Sequence, residues 1–176
     1  MRNTTLFIAM SLDGYIADSM GGVDWLQGQS SEEETSDSYS RFVEGIDTIL
    51  MGWNTYRQIV TELSPEAWVY EDFTTYVFTH KGHASTEKIR FTHSNPVHLT
   101  EALKKEPGKG IWICGGANLV QQLVNADAID RYHITVIPTL LGSGVRLFKG
   151  GTREIPLRLL QVQSYNGMTD LIYTKR

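Results

Sequence analysis

Two adjacent glycines, Gly115 and Gly116, stand between a short apolar run at residues 110–114 and a helical pattern that begins at Ala117. The first turn of a helix has backbone N–H groups without helical partners and a partial positive charge, so it attracts anions. Glycine has no side chain and lets an anion approach the backbone closely. The stretch therefore predicts either a turn that holds the diphosphate of a dinucleotide or a plain strand-to-helix turn.

Two further predicted strands end in residues of the same kind. An apolar run at residues 47–52 ends in glycine, and a helical pattern follows for which Asn54 or Thr55 is the expected N-cap. Residues 75–79 are β-branched and aromatic, and they lead into a basic turn at residues 80–82. Strands that alternate with helices form parallel sheets, and ligands bind at the carboxyl ends of such strands. We expect the three strand ends to face one crevice.

Two aspartates lie close to apolar side chains and not in plainly solvated segments. Asp13 belongs to a long loop that reaches residue 26 and carries apolar side chains, as binding loops often do. A turn residue that bonds to its own backbone also fits this position. Asp37 lies near the apolar stripe of a helix predicted over residues 32–45, whose acidic run at 32–34 fits a solvated face.

Several classes of chemistry lack their motifs. The five histidines form no His-Glu-x-x-His pair and have no cysteine partner, so we expect no metal site. The sequence has no Gly-x-Ser-x-Gly elbow, no Walker A loop and no complete Gly-x-Gly-x-x-Gly. The one cysteine, Cys114, lies inside an apolar run and is expected to be buried and inert.

The composition indicates one globular domain over residues 1–176. Hydrophobic residues make up 41% of the chain and charged residues 20%, which is ordinary globular usage. The formal net charge of −4 argues against a broad nucleic-acid face. The first apolar run is too short for a signal peptide or a membrane span, and a single cysteine fits a reducing compartment. We expect a cytoplasmic protein that binds a small molecule.

The order of the predicted elements indicates an α/β fold, a three-layer sandwich around a mostly parallel mixed sheet. Residues 132–137 alternate between apolar and polar, which predicts a half-exposed strand. The Asn166-Gly167 pair stands between two strand-like runs and predicts an antiparallel hairpin at one edge of the sheet. Apolar surface exposed at that edge would suit a second copy of the chain, so we expect a homodimer.

Several short segments in one order resemble the dihydrofolate reductase superfamily. They are most similar to the reductase half of the bifunctional deaminase-reductase of riboflavin biosynthesis. The segments are Ala-Met-Ser-Leu-Asp-Gly-Tyr-Ile-Ala at 9–17, Asp-Trp at 24–25, Ile-Leu-Met-Gly-Trp-Asn-Thr-Tyr at 49–56, Gly-Gly-Ala at 115–117 and Pro-Thr-Leu-Leu-Gly-Ser-Gly-Val-Arg-Leu-Phe at 138–148. The resemblance runs from about residue 4 to residue 175 and implies a stand-alone, dihydrofolate reductase-like member of the riboflavin reductase group.

The resemblance implies an NADPH-dependent reductase that passes a hydride to a small heterocycle, carbonyl or imine. It also implies where each part of the cofactor would bind: the nicotinamide at Ala9 and Ile16, the phosphates at Gly52, Trp53, Asn54 and Thr55, the adenosine end at Thr79, His80 and Lys81, and the diphosphate at Gly115, Gly116, Ala117, Asn118, Leu119 and Val120. Within this set, Lys81 is the candidate for the 2′-phosphate. Trp25 and Tyr39 would wall the substrate pocket.

One departure from the family pattern concerns the choice of NADPH over NADH. Dihydrofolate reductase carries a basic residue directly after its Met-Gly pair, where this chain has Trp53. Lys81 and Arg57 would have to compensate for that missing charge. The sequence therefore leaves the choice between the two cofactors open.

The other departure concerns the substrate. The folate enzyme has a helix carboxylate that anchors and protonates the pterin; here Asp37 is nearest to that place, Glu33 and Glu34 are rivals, and Asp13 is the other catalytic candidate. The substrate half offers little positive charge for a phosphate beyond two residues, Arg146 and Lys149. Three hypotheses remain: a 5-amino-6-(5-phosphoribosylamino)uracil reductase, a reductase of the same fold with another substrate, and a nucleotide-binding module without catalysis.

Overall fold

The computed structural model describes residues 1–30, 36–151 and 153–176 as a large sheet with helices on both faces and a separate small sheet. The strands are β1 (Thr4–Ser11), β2 (Tyr15–Ala17), β3 (Ile46–Gly52), β4 (Thr74–Phe78), β5 (Ile89–Thr92), β6 (Gly110–Gly115), β7 (Arg131–Ile137), β8 (Val145–Arg146), β9 (Leu157–Tyr165) and β10 (Met168–Lys175). The helices are α1 (Ser38–Glu44), α2 (Trp53–Gln58), α3 (Pro96–Lys105) and α4 (Ala117–Asn125), and α2 continues as a π-helical turn over Ile59–Leu63.

The strand order in the large sheet is β5-β4-β3-β6-β1-β7-β10-β9, and β2 pairs with β8. Neighbouring strands are parallel from β5 to β7, whereas β10 is antiparallel to both of its neighbours. The hairpin between β9 and β10 turns at Asn166 and Gly167, whose φ angles of 45° and 74° suit an Asn-Gly turn. The predicted fold, a mostly parallel mixed sheet with an antiparallel hairpin, is confirmed.

The two faces of β1 are both covered because its side chains alternate between them. Leu6 is buried in a core built with α4, where Val120 and Leu123 are also fully buried. Phe7 packs on the other face and stacks against Phe42 of α1 with 4.3 Å between the ring centroids. The carboxyl ends of β1, β3 and β6 therefore emerge at one edge, between the two helix layers.

β7 corrects one expectation from the sequence. Its alternating pattern predicts a half-exposed strand, but Tyr132, His133, Ile134 and Thr135 are all buried. The strand lies inside the sheet, between β1 and β10, and Ser38 at the start of α1 contacts the His133 ring. The polar side chains of β7 meet other polar side chains instead of water, so alternation did not mean exposure.

Two helix starts also differ from the expectation. α2 has Gly52 as its N-cap and makes no side-chain cap bond, so the expected cap at Asn54 or Thr55 is wrong. α1 covers Ser38–Glu44, and the acidic run at 32–34 lies outside the described residues. Among the residues that the structure describes, no helix is long and apolar enough to cross a membrane.

Candidate functional site

The glycine turns after β3 and β6 meet at one edge of the sheet. Met51 pairs with Gly115 in the register of the two strands. A Cβ atom placed on Gly52 would lie 3.6 Å from the backbone nitrogen of Gly116, and one placed on Gly116 would lie 3.3 Å from Thr55 Oγ1. The peptide bond between the two glycines is cis. We call this surface, made by Gly52, Thr55, Gly115 and Gly116, the glycine edge.

α4 starts at the glycine edge, with Gly116 as its N-cap in an extended conformation. The side chains of Ala117, Leu119 and Val120 are buried, and that of Asn118 is exposed. The N–H of Val120 already donates to the Gly116 carbonyl at 3.1 Å. Contacts from the start of α4 to an anion would therefore come from the first backbone N–H groups of the helix and not from its apolar side chains.

The turn after β4 lies beside the end of β3, because these two strands are parallel neighbours. Thr79 is buried, and its Oγ1 accepts a hydrogen bond from the backbone N–H of Lys81 at 3.1 Å. The side chains of His80 and Lys81 are exposed. Lys81 thus presents an ammonium group at the same end of the sheet as the glycine edge, as its predicted role requires.

Trp53 packs into an aromatic group beside the turn after β4. Its ring is stacked on His83 at 4.3 Å between centroids, and the Tyr56 ring lies at 5.7 Å. The indole is half-buried, while Asn54 next to it is exposed. The packing of Trp53 explains how α2 tolerates a large apolar side chain where the folate enzyme has a charge. Its predicted contact with the phosphates stays a prediction.

The two residues predicted at the nicotinamide lie in β1 and β2. Ala9 is half-buried and sits directly beside Thr135 of β7. Ile16 packs against the core cluster that contains Leu6. β2 is tied to the chain after β8 by a hydrogen bond from the Leu147 N–H to the Gly14 carbonyl at 3.0 Å. These contacts hold β2 at the carboxyl end of β1.

Asp13 joins the loop after β1 to the loop after β7. Its carboxylate accepts hydrogen bonds from Ser11 Oγ at 2.6 Å and from the N–H groups of Leu141 and Gly142 at 3.1 Å and 2.7 Å. These bonds, with the one from Ser11 foremost, lower the pKa of Asp13 from 3.8 to about 2. At neutral pH the carboxylate is ionised, and its hydrogen bonds hold the two loops together. A catalytic role for Asp13 stays a prediction.

Asp37, the other catalytic candidate, is the N-cap of α1. Its side chain is 66% exposed and forms an ion pair with Arg41 at 2.7 Å, one turn further along the helix. Its rivals Glu33 and Glu34 lie outside the described residues. The role of Asp37 as a substrate anchor stays a prediction.

The two predicted walls of the substrate pocket are held by different elements. Trp25 is half-buried, and its indole N–H donates to the Gly22 carbonyl of its own loop at 3.1 Å. Tyr39 lies edge-on to Phe7 and Trp112, with 6.1 Å and 6.0 Å between ring centroids. In the described part of the chain no ring contact joins Trp25 to Tyr39. Tyr39 stands over the face of β1 and β6 that α1 covers.

Sequence reading missed a buried polar cluster under α1. Asp170 of β10 accepts hydrogen bonds at Oδ1 from Thr135 Oγ1 at 2.6 Å and from the Tyr165 hydroxyl at 3.3 Å. His133 Nε2 lies 3.5 Å from Asp170 Oδ2 and 3.2 Å from Ser38 Oγ. The available signal was the pair of polar residues two apart in β7, together with the one aspartate within β10.

Cys114 lies in β6, directly before the glycine edge. Burial raises the pKa of its thiol to about 12, and a hydrogen bond with Tyr70 offsets only part of that effect. At neutral pH the thiol is protonated and therefore a weak nucleophile. This agrees with the inert role expected from the sequence.

A shallow surface depression of about 540 Å³ lies beside the small sheet of β2 and β8. It is lined by Tyr15, the loop at 142–146 and Lys149. The guanidinium carbon of Arg146 lies 4.7 Å from the centroid of the Tyr15 ring, which is a cation–π arrangement. Two cationic side chains, Arg146 and Lys149, therefore line one depression.

Glycine turns and a helix start at the carboxyl ends of parallel strands place the chain in a class, the open α/β proteins with a mostly parallel sheet. The chain belongs to the RibD C-terminal domain family, whose model matches residues 2–173. This confirms the resemblance to the reductase half of the riboflavin-pathway enzyme.

Relatives of known sequence or structure match nearly the whole chain. The uncharacterized protein YwjB of Bacillus subtilis is 41% identical over 175 residues, which cover 99% of this chain and 98% of that protein. The crystal structure of a putative riboflavin biosynthesis protein from Shewanella sp. PV-4 superposes with a TM-score of 0.84 at 27% identity, over 100% of this chain and 99% of the other.

A more distant match supports the fold alone. The Thermotoga maritima diaminohydroxyphosphoribosylaminopyrimidine deaminase/5-amino-6-(5-phosphoribosylamino)uracil reductase superposes with a TM-score of 0.72 at 15% identity. The match covers 99% of this chain and 57% of that protein. The shared part has the same sheet architecture as the chain described above.

Proposed function

We propose that the protein is an NADPH-dependent reductase of the riboflavin-pathway type. The glycine edge is the observation that supports this most directly. The ends of β3 and β6 and the start of α4 bring backbone groups together there with no side chain between Gly52 and Gly116. Lys81 adds an exposed cation after the neighbouring strand. A dinucleotide that carries a diphosphate and a 2′-phosphate suits such a surface.

The residues present fit this cofactor. A methyl group at residue 116 would crowd Thr55 Oγ1, so glycine there keeps the backbone open to a diphosphate. Gly52, Gly115 and the first N–H groups of α4 would hold the diphosphate, and Lys81 the 2′-phosphate. The chain would place the nicotinamide beside Ala9 at the carboxyl end of β1.

The chemistry divides between cofactor and chain. When bound, NADPH would supply the hydride. The chain would orient the substrate on the sheet face that carries Ala9 and exclude water with the loop at 13–26. Asp37 is exposed and is our candidate for delivering the proton by way of water, since three hydrogen-bond donors already occupy the Asp13 carboxylate.

For the substrate we propose a phosphoribosylaminopyrimidine, such as 5-amino-6-(5-phosphoribosylamino)uracil. The depression that Arg146 and Lys149 line would give its phosphate two cationic partners. The second candidate is a reductase of this same fold with a different heterocyclic or carbonyl substrate. The depression favours the first candidate because an unphosphorylated substrate has no use for both cations.

The proposal is tested by binding and then by turnover. Purified protein is titrated with NADPH and with NADH while tryptophan fluorescence is followed. NADPH oxidation is then measured with the phosphorylated substrate, its dephosphorylated form and dihydrofolate. We expect NADPH to bind with a dissociation constant between about 1 μM and 1 mM, the range of typical enzyme KM values, and we expect turnover of the phosphorylated compound. Absence of cofactor binding would refute the reductase, and binding without turnover would indicate a nucleotide-binding module.

The assignment of Lys81 can be tested by charge reversal. Lys81→Glu should weaken NADPH binding by at least about tenfold and NADH binding by less than about threefold, because only NADPH carries the 2′-phosphate. Lys88→Glu is the matched control, since Lys88 is also exposed but stands before β5, at the opposite end of the sheet. Equal losses for the two cofactors would contradict the role given to Lys81.

A further inference from the structure

The turn of the β9–β10 hairpin is hydrogen-bonded to a second piece of the chain. The backbone N–H of Gln29 donates to the Asn166 carbonyl at 3.0 Å. The side-chain amide of Asn166 makes two further bonds to Ser30, because its Oδ1 accepts from the Ser30 N–H at 2.9 Å and its Nδ2 donates to the Ser30 carbonyl at 3.0 Å. Asn166 therefore pairs with this segment through both its backbone and its side chain.

The packing around these hydrogen bonds leaves no room for further atoms. A Cβ atom placed on Gly28 would overlap the Asn166 amide and would lie 2.7 Å from the Asn166 carbonyl oxygen. A Cβ atom placed on Gly167 would lie 2.7 Å from Gln29 Oε1. The contact thus depends on glycine at two positions and on an amide at a third. We call this contact, between residues 28–30 and the hairpin turn, the turn latch.

The amide in the turn latch is also the most reactive asparagine of the chain. Asn166 is the one asparagine of six that glycine follows, and glycine has no side chain to obstruct attack by its own nitrogen. The backbone nitrogen of Gly167 bonds to Cγ of Asn166, the bond from Cγ to Nδ2 breaks, and ammonia leaves a cyclic succinimide. Water then opens either carbonyl of the ring, which yields aspartate or isoaspartate. Gly167 is exposed, so water reaches the turn.

The turn latch opposes this reaction, and the reaction destroys the latch. While both amide atoms of Asn166 are bonded to Ser30, Cγ cannot swing onto the nitrogen of Gly167. The rate therefore follows the population of conformers in which the latch is open. In the aspartate product an ionised oxygen replaces Nδ2, and a carboxylate has no proton to donate to the Ser30 carbonyl. Isoaspartate in addition lengthens the main chain of a two-residue turn by one atom.

We propose that Asn166 is a site of spontaneous deamidation, at which loss of the amide releases residues 28–30 from the β9–β10 hairpin. The change runs one way, because the lost ammonia is not put back. Residues 28–30 follow shortly after Trp25, whose carbonyl accepts a hydrogen bond from the Gln27 N–H at 2.8 Å. The release therefore frees the end of the loop that carries this tryptophan. Neither step involves the cofactor or the substrate of the proposed reductase.

The reaction is measured by ageing the purified protein in mildly alkaline buffer, with and without denaturing urea. Peptide mass spectrometry then identifies each asparagine that has become an acid. We expect conversion at Asn166 ahead of the other five asparagines, at a native rate at least about tenfold below the rate in urea, because two hydrogen bonds hold the side chain. A native protein that does not react at Asn166 would overturn the site. Equal rates in the two buffers would overturn the latch.

Gly28→Ala opens the latch without touching the reacting residues. The backbone at Gly28 is outside the left-handed region and accepts alanine, but the added methyl group overlaps the Asn166 amide. Deamidation of the native variant should be at least about fivefold faster than that of the wild type. Gly150→Ala is the matched control, since a Cβ there meets no atom within 4 Å. An unchanged rate in Gly28→Ala would refute the latch. If that variant does not fold, Ser30→Pro replaces it, because proline lacks the N–H that Asn166 binds.

The release itself is measured by amide hydrogen exchange. In aged wild-type protein and in Asn166→Asp, the N–H groups of Gln29 and Ser30 should exchange at least about tenfold faster than in fresh wild type, because their acceptors have moved away. Asn125→Asp is the control, since this exposed asparagine ends α4 and should leave exchange at residues 28–30 unchanged. Equal exchange before and after ageing would refute the release. The aged wild type decides alone if Asn166→Asp does not fold.

Discussion

At the scale of single residues, Asp13 is a predicted catalytic acid whose carboxylate joins the loop after β1 to the loop after β7. Three donors, one at the end of β1 and two in the loop after β7, surround its carboxylate, and its pKa falls to about 2. A carboxyl group whose pKa is lowered by folding stabilises the protein above its ordinary pKa and loses that contribution as the pH falls. For Asp13 the window runs from its ordinary 3.8 down to about 2.

Asp13→Asn should therefore change how the free energy of unfolding depends on pH below about pH 4. The amide keeps part of the geometry but lacks the charge, so the variant should unfold more easily at pH 7 and lose less stability between about pH 4 and pH 2 than the wild type. Chemical denaturation at several pH values measures both effects. Asp24→Asn, an exposed residue of the same loop, should match the wild type. If Asp13→Asn and the wild type lose the same free energy of unfolding between about pH 4 and pH 2, the Asp13 carboxylate does not stabilise the fold in this way.

The two glycines at 115 and 116 and the buried Asp170 differ in how well their roles can be predicted from the sequence. The turn at Gly115 and Gly116 can be predicted because the need for glycine is local. A strand ends there and a helix begins. The importance of Asp170 depends on the register of β10 against β7, which sets Thr135 opposite it. No local sequence pattern predicts that register. An aspartate in an alternating strand instead predicts a side chain that faces solvent.

At the scale of elements, strand ends and the helices that follow them decide the candidate site. β3 and β6 are adjacent and parallel, which brings Gly52 to Gly116 and leaves α4 to start at the same place. The order of strands and helices predicted this meeting, because parallel strands end at one edge. The burial of β7 was not predictable in the same way, since its polar side chains gain their partners only from α1 and β10.

Gly116→Ala tests the glycine edge as an element. The added Cβ would approach Thr55 Oγ1 to 3.3 Å at a backbone φ of −87°, which alanine accepts. We expect NADPH affinity to fall by about tenfold while the melting temperature changes by only a few degrees. Isothermal titration and thermal unfolding measure the two quantities.

The control for this variant is another glycine at a strand end. Gly45→Ala adds a methyl group in ordinary contact, 3.6 Å from the Phe42 carbonyl oxygen, at the amino end of β3. It should leave NADPH affinity unchanged. Unchanged affinity in Gly116→Ala as well would mean that the diphosphate does not approach this backbone.

At the scale of the whole molecule, β9 is the exposed margin of the large sheet. Its outer backbone edge has no strand beside it among the described residues, and Leu159, Leu160 and Val162 are 49%, 47% and 52% exposed. Edge strands with apolar side chains are sites of association unless something covers them. A second copy of the chain can cover this margin by two-fold symmetry, which supports the homodimer that we propose.

Leu160→Glu tests the dimer. A charge at the centre of a two-fold interface meets its own copy, so the variant should be monomeric. Light scattering behind size-exclusion chromatography should give the mass of two chains for the wild type and of one for the variant. Leu63→Glu is the control, since Leu63 is 57% exposed on the turn after α2, away from β9. A monomeric wild type would refute the proposal.

The position of β1 at the centre of the sheet has a consequence for how the chain is made. Both of its neighbours, β6 and β7, come from residues 110–137, and Asp170 follows Ala9 by about 160 residues. At a synthesis rate of about 5–20 residues per second, β1 waits on the order of five to twenty-five seconds for a strand to pair with it. During that time an apolar strand has two open edges. The nascent protein should therefore depend on chaperones that shield β1 until the middle of the sheet exists.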